Sequence, residues 1–354
     1  MLKVGMMTFL HNENYGSILQ AWALQQALVG MGFEAELIDY APGRIEKLRN
    51  LLTSGNSPRL ILEGMRKRSA TGQMNGRFDE FRREQLRCSV PCSDQTALRR
   101  QAASCDVLLC GSDQIWSPVW LNPVYFLNFS QKPKVAYAPS LGVKELPAPR
   151  KQKRMAALIR EFRAISVREA EGAALMRKIA GVEAPVLPDP VVLMPRESWR
   201  ALASGGVPQE PYLLCYFIGD SPEYWQRAAE IAARESVRVC VIPRTEAAWQ
   251  SGYPLETDVS PQRWLALIDG AAHVLTDSFH GASFSAILNR PCSILRRYRE
   301  EDPESKNSRV DQLLRNMNVS SLESPDWVQV NKRLETLASQ GKEWLLDAIS
   351  QAAR

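Results

Sequence analysis

The chain alternates short apolar runs with longer amphipathic ones, and the rhythm occurs twice. Residues 2–9 open as a strand-like run. Residues 18–31 then place Leu19, Ala23, Leu24, Ala27 and Leu28 on one helical face, with Gly32 as a natural stop. Residues 34–40 return to a strand, completing a βαβ unit, the building block of a parallel sheet. The same patterning predicts strands at 107–110, 134–138 and 164–167 and helices over 148–163 and 169–179. Residues 43–100 read as mostly helical and charged, with loops near 54–58 and 68–75. A second alternating set starts near Pro211, with strands at 212–218, 237–242, 273–276 and 292–295. Its helices fall at 224–235, 264–272 and 281–288. A closing amphipathic helix covers 343–353.

The expected architecture is therefore α/β, with two Rossmann-like domains: 1–180, a linker region at 181–210, and 211–330. Residues 331–354 form a C-terminal helix returning to the first domain. A length of 354 residues suits two domains, and 45% hydrophobic residues suffice for sizeable cores. The net charge of +5 is mild. Its excess lies in patches such as 66–68 and Arg296, Arg297 and Arg299, which suit phosphate-bearing ligands or an anionic membrane surface. No nucleic-acid module is visible, so no nucleic-acid partner is expected.

Of seven cysteines, Cys110, Cys215 and Cys240 lie in apolar runs, as reduced core thiols do. Cys88 and Cys92 form a C-x3-C pair without a second pair or a nearby histidine, and the chain has three histidines in all; no metal site is expected. The chain opens on a strand rather than a leader, and no run approaches the roughly 20 apolar residues of a membrane span. The expectation is a soluble cytoplasmic protein, with peripheral contact at the inner membrane face left open.

In parallel sheets ligands bind beyond the carboxyl ends of the strands, and the turns there hold the candidate chemistry. After the strand ending at Thr276 come Asp277, Ser278, Phe279, His280 and Gly281. Ser278, His280 and the amides opening the next helix suit an anion, and His280 can move a proton near neutral pH. The plainer alternative is a histidine packed at a helix start. His273, at the other end of that strand, reads as structural. Gly111, Ser112, Asp113 and Gln114 follow Cys110 and offer a tight turn with hydroxyl, carboxylate and amide groups. They suit a sugar or a catalytic carboxylate, or else an Asx-type turn anchored by Trp116. Asn14, Tyr15, Gly16 and Ser17 precede a helix and either cradle a ligand or supply an N-cap through Ser17. Arg168 ends another strand, where it grips an anion or forms a surface ion pair with Glu169 or Glu171. Lys306 and Arg309 follow the last strand and add positive charge or merely line a solvated loop.

Together these segments resemble the polysaccharide pyruvyl transferase family. The matching stretches are NYGSILQAWALQQAL (14–28), DVLLCGSDQIW (106–116), VAYAPSLG (135–142), ISVREAEG (165–172), VLPDPVVL (186–193) and VLTDSFHGASFSAILNRP (274–291). The resemblance implies a GT-B-like fold, two Rossmann-like domains facing across a cleft. It also implies transfer of pyruvate from phosphoenolpyruvate to two hydroxyls of a cell-surface polysaccharide sugar or its precursor, lipid-linked or not, as a cyclic ketal with release of phosphate. No metal or other cofactor is needed. It carries the catalytic histidine onto His280 and an anion-binding arginine onto Arg168. Asp113 is the candidate to deprotonate a hydroxyl. Some members have arginine-leucine before the histidine; here Ser278 and Phe279 stand there, leaving Lys306 or Arg309 to supply that charge. Competing readings are a GT-B-like glycosyltransferase with a nucleotide-sugar donor and a non-catalytic glycan-binding or assembly protein.

Overall fold

The computed structural model describes residues 1–43, 75–297 and 307–354; the expected loop near 54–58, all but the last residue of that at 68–75, the basic run 66–68, Arg299 and Lys306 lie outside them. The first sheet comprises β1 (Lys3–Met7), β2 (Glu34–Leu37), β3 (Val107–Cys110), β4 (Lys134–Ala136) and β5 (Ala164–Ile165). All pairings are parallel, in the order β2-β1-β3-β4-β5. β3 and β4 are buried at every position, so both faces must be covered by helices, as apolar strands without polar alternation demand. The α-helices of this unit among the described residues, besides the end of the C-terminal helix, are α1 (Tyr15–Gly30), α2 (Asn75–Gln85), α3 (Gln95–Ala103), α4 (Pro149–Ile159) and α5 (Ala170–Ala180).

The second sheet is also parallel, with β6 (Tyr212–Tyr216), β7 (Arg238–Ile242), β8 (His273–Thr276) and β9 (Cys292–Ile294) in the order β7-β6-β8-β9. Its longer helices among the described residues are α6 (Arg196–Leu202), α7 (Pro222–Glu235), α8 (Pro261–Gly270), α9 (Phe279–Ile287), α10 (Asn307–Met317) and the N-terminal part of α11 (Trp327–Ala352). In each sheet the strand order reverses once, between β1 and β3 and between β6 and β8. Such switch points open crevices beyond the strands' carboxyl ends.

The chain divides into one unit of Met1–Leu193 with Ser339–Arg354 and another of Met194–Ala338. Residues 181–210, expected as a linker, are instead shared between the two units. Val191 and Leu193 are fully buried in the first, and Trp199 on α6 is fully buried in the second, edge-on to Phe284. Buried apolar side chains hold both stretches in cores where a linker would be solvated. The closing helix starts at Trp327, earlier than the pattern at 343–353 suggests. Its C-terminal part belongs to the first unit, where Trp344 lies 6.1 Å from Tyr137.

All seven cysteines are free thiols, and all but the half-buried Cys88 are buried. Cys88 and Cys92 bridge to Leu37 and Tyr40 beside β2, and burial pushes the Cys88 thiol up to about 11. Both behave as packed thiols rather than as a reactive pair.

Candidate functional site

At the first switch point, α1 begins earlier than the periodicity predicts, at Tyr15 rather than residue 18. Asn14 is the N-cap, its side chain accepting from the Ser17 amide at 3.3 Å. The cap is therefore Asn14 and not Ser17. Relieved of capping, the buried Ser17 hydroxyl donates a hydrogen bond to Asp113 Oδ2. Tyr15 and Gly16 are buried in the first turn, Tyr15 against Phe78 at 5.1 Å, and support the helix start rather than line a loop.

Asp113 has φ of 71°, a left-handed conformation that aspartate tolerates better than most residues. Its Oδ1 accepts from the Gln114 amide at 2.8 Å, and its carbonyl accepts from the Ser140 amide at 2.8 Å. The turn thus presents one carboxylate oxygen to its own backbone and the other to Ser17. Trp116 is the anchor, stacked on Phe126 at 4.7 Å with its indole N–H on the Tyr125 carbonyl. Gly111 packs against Leu24 and Thr8.

The Ser112 hydroxyl lies 2.9 Å from the Ala138 carbonyl and 3.2 Å from Asp189 Oδ2. Asp189 also pairs with Arg168 Nη1 at 2.5 Å, and Glu169 Oε2 lies 3.8 Å from Arg168 Nε. Glu169 Oε1 in turn accepts from the Ser140 hydroxyl and the Leu141 amide. Arg168 is only 3% exposed, so its ion pairs are internal rather than on the surface, and Asp189 is the main partner. Burial lowers the guanidinium's pKa, but Asp189, Glu169 and Asp113 together raise it on balance. This end of the sheet gathers three carboxylates against one guanidinium. Gln20 Oε1 and Gln114 Nε2 are buried there without a hydrogen-bond partner among the described residues, leaving polar capacity for a ligand.

The second switch point has the opposite balance. Asp277 Oδ1 and Oδ2 accept from the Ile218 and Gly219 amides after β6, at 2.7 and 2.6 Å. Arg297, after β9, donates to Asp277 Oδ2 at 3.0 Å and to its carbonyl at 3.2 Å. Ser278 is the N-cap of α9 and accepts from the Gly281 amide at 3.3 Å. A methyl at Gly281 would stand 2.7 Å from Thr276 Oγ1, so this position needs glycine for α9 to seat on β8. His280 therefore sits in the first turn of α9, 7% exposed, edge-on to Phe279. Arg309 on α10 lies over the Phe279 ring at 5.9 Å. Arg244 follows β7, and its charge and that of Arg297 both act on Tyr216, although burial dominates and pushes that phenol up to about 12.

Sequence reasoning named Asn14, Ser17, Ser112, Asp113, Gln114 and Arg168 at one sheet end and Asp277, Ser278, His280, Gly281 and Arg309 at the other, and the structure brings each set together. It named Glu169 only as a surface partner of Arg168 and missed Asp189 as the main one, and it missed Arg297 and Arg244 beside the histidine turn. Asp189 was legible as a turn residue only, and Arg297 was submerged in a basic run. His273 is structural, buried between Glu235 and Ser293 at 3.0 and 2.9 Å.

The family model for polysaccharide pyruvyl transferases matches residues 14–297, most of the chain and both switch points. The chain belongs to the polysaccharide pyruvyl transferase family. This pyruvyl transferase family member finds no match among curated proteins. Among solved structures it is similar to a putative UDP-N-acetylglucosamine 2-epimerase from Listeria monocytogenes, at 11% identity and a TM-score of 0.53, covering 99% of this chain and 96% of that one. It is also similar to UDP-GlcNAc 2-epimerase from Neisseria meningitidis bound to UDP-GlcNAc, at 9% identity and a TM-score of 0.53, covering 99% and 100%. A UDP-N-acetylglucosamine 2-epimerase from Rickettsia bellii gives 10%, 0.52, and 100% and 97%. At such identities the likeness is one of fold, and that fold is GT-B-like, with parallel sheets in two domains.

Proposed function

We propose that this transferase moves the pyruvyl group of phosphoenolpyruvate onto two hydroxyls of a glycan sugar, with the donor at the His280 turn and the acceptor at the Asp113 turn. The observation carrying this reading is the opposite charge of the two sheet ends. Asp113, Glu169 and Asp189 outweigh Arg168 at the first, which suits neutral hydroxyl groups. At the second, Arg244, Arg297, Arg309 and the N-terminus of α9 outweigh Asp277, which suits a multiply charged anion. In this reading Arg168 holds the acceptor turn in place rather than gripping phosphate.

His280 protonates the methylene carbon of the enol, and Asp113 takes the proton of the first sugar hydroxyl as its oxygen bonds to the central carbon. The second hydroxyl then displaces phosphate from that carbon, its proton returning to the imidazole, while Asp113 gives its proton to the departing phosphate. The products are the cyclic ketal and inorganic phosphate, and the scheme calls on no metal or other cofactor. The family supports a sugar acceptor; we place it on a cell-surface polysaccharide or its precursor, in the cytoplasm.

Phosphorus NMR with phosphoenolpyruvate and a panel of nucleotide- and lipid-linked sugars tests the reading. Acceptor-dependent phosphate release is expected, and His280→Ala should abolish it with the fold intact. Near-normal turnover in that variant removes His280 from the chemistry. Turnover of a nucleotide sugar, with none of phosphoenolpyruvate, replaces the donor.

A further inference from the structure

Away from both switch points, the flank of the first unit carries an unbalanced run of cations. On α4, Arg150 and Lys153, and at its C-cap Arg160, follow one another at helical spacing on the exposed side, opposite the buried Met155, Ala156 and Ile159. None of the three makes an ion pair or side-chain hydrogen bond with a described residue, and neither does the exposed Arg163. Elsewhere the surface arginines are mostly paired, as Arg177 is with Glu183 and Arg200 with Asp269. The acid within the run, Glu161, is committed to Lys134.

Arg160 and Arg163 line an open cavity of about 400 Å³ whose other walls include Phe162, Val182, the half-buried Trp344 and Glu183, whose charge is met by Arg177. Toward its start, α4 is tied to the turn after β3 by Lys151, which donates to the Pro118 carbonyl at 2.7 Å. Beside that tie, Trp120 and Leu146 are 37% and 43% exposed.

We propose that this flank docks on an anionic lipid bilayer, with the Arg160–Arg163–Trp344 cavity receiving a lipid phosphate headgroup. Two guanidinium groups with no acidic partner among the described residues supply the charge complement, and the indole has the amphipathic character of residues that settle at a membrane interface. Trp120 and Leu146 add apolar contact at the other end of the cationic run. The value of docking for turnover, holding the enzyme at a membrane that carries a lipid-borne acceptor, rests on the reading proposed above; docking itself does not.

Co-sedimentation of the full chain with vesicles of phosphatidylcholine alone, or with about one third phosphatidylglycerol, measures binding without turnover. Binding to the anionic vesicles only is expected, weakening as salt rises. Arg160→Glu/Arg163→Glu should reduce partitioning at least about tenfold, since each cation near an anionic surface counts severalfold. Arg99→Glu/Arg100→Glu, the same charge change on the exposed face of α3, should reduce it far less. Equal loss from both pairs, equal binding to neutral vesicles, or full competition by millimolar inorganic phosphate overturns the proposal. Phosphate release with a soluble acceptor, assayed without vesicles, should be unchanged in Arg160→Glu/Arg163→Glu, which separates failure of docking from failure of the proposed reaction.

Discussion

At the scale of single residues, the pairing of Ser17 with Asp113 carries the most consequence. Because Asn14 caps the helix, the serine hydroxyl is released to orient a carboxylate that already sits at a positive φ. Asp113→Asn keeps a residue that tolerates this backbone and keeps hydrogen-bonding capacity toward Ser17, so the melting temperature should change little. If Asp113 is the base, turnover should fall about 10²- to 10⁴-fold; a loss smaller than tenfold would remove that role. Arg168 poses a different problem, because its partners are buried with it. Arg168→Met leaves Asp189 and Glu169 without their cation and should destabilise the first unit by about 3–5 kcal/mol, whereas Arg168→Met/Asp189→Leu should recover part of that loss. Denaturant melts of the two variants check it. This network marks the limit of sequence reading at the residue scale. The strand-end turns were legible, because a polar cluster directly after a short apolar run marks the point where a buried strand surfaces into a loop. The pairing of Arg168 with Asp189, 21 residues apart, was not, because it depends on how two separate loops fold back on one another.

At the scale of elements, the alternation of short apolar runs with amphipathic stretches of helical period located every strand of both sheets to within a few residues. Strand ends were overextended, as at residues 134–138 against the observed Lys134–Ala136, because the apolar run continues into the buried Tyr137 and Ala138; the Tyr137 amide still donates to the Cys110 carbonyl, but the Ala138 amide turns to the Ser166 hydroxyl. The division of the chain was misplaced for a related reason. Residues 181–210 are rich in turn signals, yet their Val191, Leu193 and Trp199 are core side chains, and periodicity does not say which core. At the start of β8, His273 is buried between Glu235 and Ser293, and burial outweighs the carboxylates to lower its pKa below 6.5. Its unfolded state then binds a proton before its folded state does. Stability is therefore full above about pH 6.5 and lost as pH falls from there through the lower folded value. Melts between pH 7.5 and 5 should show this slope, and His273→Gln should flatten it. A wild-type melting temperature that rises on acidification would mean the imidazolium is the form held by Glu235.

At the scale of the whole molecule, the same parallel-sheet architecture occurs twice and each copy places its polar side chains at its strand-order reversal, but with opposite sign. Neither the net charge of +5 nor any single motif foretold that asymmetry. It arises because Glu169 and Asp189 join Asp113 at one sheet end while Arg244 and Arg297 join His280 at the other, contributions drawn from loops that sequence order scatters. If the charge asymmetry divides donor from acceptor, kinetics should divide along the same line. Arg244 lies at the cationic end, whereas Arg297 also holds Asp277 in place. Arg244→Gln should therefore raise the KM for phosphoenolpyruvate about tenfold, the loss of one charge-assisted contact, and leave the KM for the sugar unchanged. Raising ionic strength should act in the same direction on the wild-type enzyme, because screening weakens attraction to an anion and not to a neutral hydroxyl. Steady-state kinetics with each substrate varied in turn decides it. A sugar KM that moves with Arg244 while the phosphoenolpyruvate KM stays fixed would exchange the roles of the two sheets, and the anion would then have to be held at the end where carboxylates outnumber guanidinium groups three to one.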